Sequence, residues 1–167
     1  TLSAPVTIDG KYLKITGGTI KADFSKTQWL TMFEIKSGDV KFENIKLDGA
    51  KTAATNNWCT FIRQSGGSCY LENGTILTNA LGHYDWYNGI LVTGGYCYLN
   101  KNARIELNTY GIGGTIRIEG DGHFSIDGGM MYANEDGRGS NIENDEVYPR
   151  FGTVYVSGNM TFYLSLI

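Results

Sequence analysis

Two short stretches gather the side chains best suited to chemistry. In GDGHFSIDGG, residues 120–129, Asp121, His123 and Asp127 lie close together, and a carboxylate beside an imidazole is a pairing that general acid–base catalysis uses. The plainer reading of the same run is structural: Asp121-Gly122 and Asp127-Gly128 are turn dipeptides, and a lone histidine on an exposed strand is commonly just solvated. In GHYDWYNG, residues 82–89, Tyr84, Asp85, Trp86 and Tyr87 crowd one loop. Aromatic faces stack on sugar rings while Asp and Asn bond hydroxyls, so this is the composition of a glycan-binding surface. Asn57-Trp58 stands one repeat before Asp85-Trp86, which predicts Trp58 and Trp86 as neighbours on one face. The competing expectation is that both indoles fold back over the core beneath their loops.

The remaining reactive groups are sparser. Cys59, Cys69 and Cys97 make an odd count with no CxxC spacing, so neither a self-contained disulfide framework nor a zinc site is expected. Cys69 and Cys97 hold the same place in successive repeats and should meet on adjacent rungs, as stacked thiols or as a bridge. An acidic stretch over 134–150 holds Glu135, Asp136, Glu143, Asp145 and Glu146 against Arg138 and Arg150. Ca²⁺ takes such carboxylates, but Arg138 stands where an oxygen ligand is needed, so a solvated acidic loop is expected and no metal or other cofactor is assigned.

These groups must be positioned by a repeat. Gly10, Gly38, Gly66, Gly94, Gly120 and Gly158 recur at nearly even intervals until the last, which is longer, and each stands between two strand-like runs such as VTIDGKYLKI and ILVTGGYCYL. A period in this range signals a solenoid, and the long final step isolates the acidic stretch as an insertion. The 167 residues suit one domain, and 41% hydrophobic content argues for a folded chain. Fourteen basic against seventeen acidic residues, with no basic run, leave no footprint for nucleic acid. No stretch is long and apolar enough for a helical membrane span.

Apolar residues alternate with polar ones on both sides of each glycine: Val6 and Ile8, then Leu13 and Ile15; Ile90 and Val92, then Cys97 and Leu99. A third set follows an Asn or Gly turn, including Ile20, Leu47, Ile76 and Ile105. Period-two alternation sends these side chains inward. The expected fold is therefore all-β: a single-domain parallel β-helix over 1–167, with three short strands per rung and about six rungs. Asn44, Asn73 and Asn102 are expected to stack at one bend. Open ends would invite association with another chain, and strand-like runs at both termini read as an excised piece of a larger protein.

VTIDGKYLKITGGTI, FEIKSGDVKFENIKLDGA and the Asn-bearing turns resemble the right-handed parallel β-helix of the pectin-lyase-like superfamily over essentially the whole chain. The opening TLSAPVTIDGKYLKITGGTI most resembles repeats of bacterial surface or adhesin-like proteins. That resemblance implies an extracellular or cell-surface location and a polysaccharide or host glycan as partner. The polygalacturonase motifs of the superfamily, Asn-Thr-Asp, Asp-Asp, Gly-His-Gly and Arg-Ile-Lys, are absent. The nearest runs, Gly122-His123-Phe124 and Arg117-Ile118-Glu119, break at the defining position. The expectation is a non-catalytic structural or binding module with Trp58, Tyr84, Asp85, Trp86 and Tyr87 as contact residues. The alternative is a lyase, hydrolase or phage tailspike segment acting on acidic polysaccharides through Asp121, His123 and Asp127.

Overall fold

The computed structural model describes residues 1–52, 57–82, 89–110, 115–132, 134–136 and 154–156. Every regular element among them is a strand. The first rung comprises β1 (Val6–Ile8), β2 (Lys11–Thr16) and β3 (Thr19–Lys21). The second comprises β4 (Trp29–Ile35), β5 (Gly38–Glu43) and β6 (Lys46–Asp48), and the third β7 (Trp58–Gln64), β8 (Ser68–Leu71) and β9 (Ile76–Thr78). In the fourth, β10 (Ile90–Asn100) runs unbroken through the corner before β11 (Arg104–Glu106) and the two-residue β12 (Thr109–Tyr110). The fifth repeats this with β13 (Ile116–Asp127), β14 (Met130–Tyr132) and β15 (Glu135–Asp136), and β16 (Val154–Val156) follows.

All ladders are parallel. The first runs β1-β4-β7-β10-β13-β16, the second β2-β5-β8-β10-β13 and the third β3-β6-β9-β11-β14. The parallel β-solenoid expected from the alternation is thus present, but its height differs. Second and third ladders each contain four strand-to-strand steps, so the coil makes about four full turns rather than six. A glycine count numbers rung starts, whereas a turn is closed only when a neighbour pairs with it. Gly158, the sixth of the series, lies outside the described residues, among which β16 alone represents that rung. Four steps of about 4.8 Å give a stack near 19 Å.

Five inward columns form the core. They are Val6-Phe33-Ile62-Ile90-Ile116, Ile8-Ile35-Gln64-Val92-Ile118, Leu13-Val40-Cys69-Cys97-Phe124, Ile15-Phe42-Leu71-Leu99-Ile126 and Ile20-Leu47-Leu77-Ile105-Met131. From the second rung to the fourth every apolar member is buried. Burying one such side chain contributes about 1.5–3 kcal/mol, so the stacking interior carries most of the stability. Gln64 is the polar exception, and its amide nitrogen donates to the carbonyls of Gly67 (2.9 Å) and Tyr96 (3.0 Å).

The corners depart from a simple repeat in two ways. The repeat glycines do not share one column: Gly38 pairs with Lys11 below it and continues to Gly67, Gly95 and Gly122, while Gly94 pairs with Asp121. At Gly67, φ is +69° and a Cβ would run into the carbonyl oxygen of Gly38, so this corner admits no side chain. The second bend is likewise not an all-Asn stack. Gly17, Asn44, Gly74, Asn102 and Gly128 each stand two residues before a third-ladder strand partner, and all have positive φ. Gly74 therefore takes the place expected of Asn73, whose carbonyl instead accepts the Asn44 N–H at 2.9 Å. What repeats is left-handed backbone, which Gly and Asn both tolerate.

A buried asparagine pair occupies the corner after the third ladder. Asn108 accepts the Ala80 N–H (2.9 Å) and donates to the Leu77 carbonyl (3.2 Å) and to Asn134 Oδ1 (3.0 Å). Asn134 in turn donates to the Ile105 carbonyl at 2.9 Å. These amides bond buried backbone groups at the corner, among them the Ala80 N–H, which is how a buried bend meets its hydrogen-bond requirement.

Candidate functional site

Alternation that buries one side of each strand presents the other as a flat, rung-by-rung array. On the second ladder the outward columns are Tyr12-Asp39-Ser68-Tyr96-His123 and Lys14-Lys41-Tyr70-Tyr98-Ser125. Tyr70 and Tyr98 stack at 5.0 Å with planes 7° apart, and Tyr96 and His123 stack at 4.7 Å with planes 11° apart. Both separations match the rung spacing of about 4.8 Å, so the rings lie face-on to the coil axis. Tyr12 is 86% exposed and Tyr96 49%. The Lys41 ammonium lies 5.2 Å from the Tyr70 ring centre, in cation–π range, and Lys14 pairs with Glu43.

A second aromatic group lies at the start of the first ladder. Trp29 and Trp58 are register partners with ring centres 5.9 Å apart and planes tilted by 34°. Trp29 is 55% exposed and Trp58 is half-buried. Thr27 holds the approach: its Oγ1 accepts the Trp29 N–H at 3.1 Å. Sequence reasoning named Trp58 but missed Trp29; the signal was that the two indoles stand about one repeat apart. Tyr84, Asp85, Trp86 and Tyr87, and with them the expected Trp58–Trp86 neighbourhood, lie outside the described residues.

The acid–base candidates sit on β13. His123 faces outward and stacks on Tyr96, while Asp121 and Asp127 are exposed. Asp127 pairs with Asn100 at the far end of the strand, four residues from His123 and so roughly 13 Å away. The strand therefore spreads the trio along one ladder, and the nearest ring to the imidazole is a tyrosine. Of the acidic stretch, Asn134, Glu135 and Asp136 are described and the rest is not. Among the described residues no three His, Cys, Asp or Glu side chains are grouped so as to hold a metal ion.

The cysteines lie inside the coil. Cys69 and Cys97 are register partners, as their spacing predicts, and are buried thiols in the column Val40-Cys69-Cys97-Phe124. A hydrogen bond with Cys97, reinforced by burial, holds the Cys69 thiol well above the usual range. Burial, with the Asp48 charge adding to it, does the same for Cys59. Such thiols are poor nucleophiles and pack as small apolar groups. No protein-family model, curated protein or solved structure matches this chain.

Proposed function

We propose that this chain is a non-catalytic, rod-like binding module of a protein displayed outside the cell, and that it holds glycan against aromatic side chains on its surface. The observation that carries the reading is the Trp29–Trp58 pair: two indoles in register at 5.9 Å, one of them more than half exposed. Large aromatics left at a rigid surface are the usual contact elements of binding sites. A stack whose strands add one above another suits a stiff spacer, because each rung contacts only its neighbours and the shape changes little along its length. The likeness of the repeat runs to the pectin-lyase-like superfamily and to adhesin-like repeats supports the same reading, as does the spread of Asp121, His123 and Asp127 along β13.

A glycan array probed with the wild type, Trp29→Ala and Trp58→Ala tests it. Binding that falls about tenfold in each variant, with unchanged melting temperature, is the expected result. Equal binding by all three rejects the tryptophan site. Turnover of a uronic-acid polysaccharide that vanishes in Asp121→Ala, His123→Ala or Asp127→Ala would replace the module with an enzyme.

A further inference from the structure

The outward face of the second ladder has a gap between aromatic rings, separate from the tryptophan pair. Tyr96 has two neighbours along the coil axis: His123, whose ring covers one face at 4.7 Å, and Ser68, whose side chain is too short to cover the other. Below Ser68 come Asp39 and then Tyr12, which projects almost fully into solvent. Tyr12 and Tyr96 are three rungs apart, roughly 14 Å. The floor between them is Ser68 and Asp39, and Tyr70 stands in the adjoining column beside Ser68. An aromatic ceiling, a hydroxyl and carboxylate floor and an aromatic side wall are the components a sugar ring uses. Its C–H face packs on an aromatic ring at about 3.5–4 Å, and its hydroxyls donate and accept at the edge.

The charges bear on which sugar fits. The outward columns carry Asp39, Glu43, Glu72 and Asp127 against Lys14 and Lys41. Both cations are engaged, Lys14 with Glu43 and Lys41 over Tyr70. Asp39 on the floor would repel a uronate carboxylate.

We infer that Tyr96, Ser68, Asp39 and Tyr70 form a subsite for a neutral sugar unit of a glycan, stacked beneath Tyr96 with its hydroxyls on Ser68 and Asp39. The inference rests on the glycan-binding reading above but uses a separate face. The test titrates neutral gluco-, manno- and galacto-oligosaccharides, and an oligogalacturonide as the acidic probe, into wild type, Tyr96→Ala, Ser68→Trp and the Trp29→Ala/Trp58→Ala double variant. The expected result is a neutral ligand bound by wild type and weakened about tenfold by Tyr96→Ala and by Ser68→Trp, which fills the gap from its floor. Melting temperatures of the variants identify any loss that comes from misfolding, and saturation transfer from bound sugar to tyrosine rings reads the contact in the unaltered protein. Preference for the oligogalacturonide overturns the inference. So does neutral binding lost only in the tryptophan variant, which would leave the proposed function standing, whereas binding of no probe by wild type removes both.

Discussion

Leu13 on the first rung and Cys69 on the third occupy the same inward column, yet Leu13 is 39% exposed and Cys69 is fully buried. The same holds one ladder away, where Val6 is exposed and its partners Phe33 and Ile62 are not. Their local sequences are equivalent: both strands alternate, and both follow a glycine corner. The difference is neighbours. β1 and β2 are hydrogen-bonded on one side, while the strands of the middle rungs are sandwiched on both. Burial in this fold is therefore supplied by the adjacent rung rather than by the strand that owns the residue.

Substitutions at matched positions can break that comparison. The largest effect is expected at the glycine corner. Gly67→Ala places a Cβ against the Gly38 carbonyl at positive φ and should destabilise by about 5 kcal/mol or prevent folding. Gly10→Ala, also at positive φ but with Ser37 Oγ at 4.0 Å as its nearest neighbour, should cost only about 1 kcal/mol. Equal losses in urea denaturation would show that backbone strain, not the stacked rung, governs the corner.

Core truncation comes next. Phe42→Ala, fully buried between rungs, should cost about 4 kcal/mol, and Leu13→Ala on the open rung under about 1 kcal/mol. If Leu13→Ala proves as costly as Phe42→Ala, a second molecule covers the first rung in solution, and the loss should then depend on protein concentration. Asn108→Ala leaves the Ala80 N–H without its acceptor inside the coil and should cost about 2 kcal/mol. Asn108→Asp, which retains the acceptor but not the donor, should differ from it if the amide ladder acts as described.

The smallest effect is a pH dependence confined to the interior. Cys59 and Cys69 are held above the ordinary thiol value of 9.0, so the folded state binds protons that the unfolded state releases. Their contribution is complete below that value and declines as the pH rises past it, by up to about 1.4 kcal/mol per thiol per pH unit. Urea midpoints measured between pH 8 and pH 10 should fall for wild type and fall less for Cys59→Ala. A flat profile in wild type would mean that solvent reaches the column.

Much of the fold was legible in the chain because parallel stacking repeats its own pattern. Spacing alone aligned Cys69 with Cys97, since a one-residue slip would have turned every inward side chain out. It misaligned the glycines and Asn73 because corners carry no alternation: a bend can take one residue more or fewer while both flanking strands stay in register. Asn108 and Asn134 were readable too, each three residues after an inward third-ladder residue, Ile105 and Met131, as Ala80 is after Leu77. They were missed because an asparagine that completes a buried corner looks in sequence like one that turns at the surface.

For the candidate sites the balance reverses. Tyr70, Tyr96 and Tyr98 read as ordinary outward strand residues, and Trp29 is tied to Trp58 by the repeat spacing alone. Nothing local states that Tyr96 stacks on a histidine of the following rung and overhangs a serine of the preceding one. The sequence by itself determined the all-β coil, its three-strand rung and the sorting of inside from outside, because those follow from a period of two nested within the longer glycine period. Only the tertiary structure decided how many turns close, which rung lies open and which rings face one another. Each of those depends on what residue the coil brings alongside, and that is set by the summed length of every strand and corner in between.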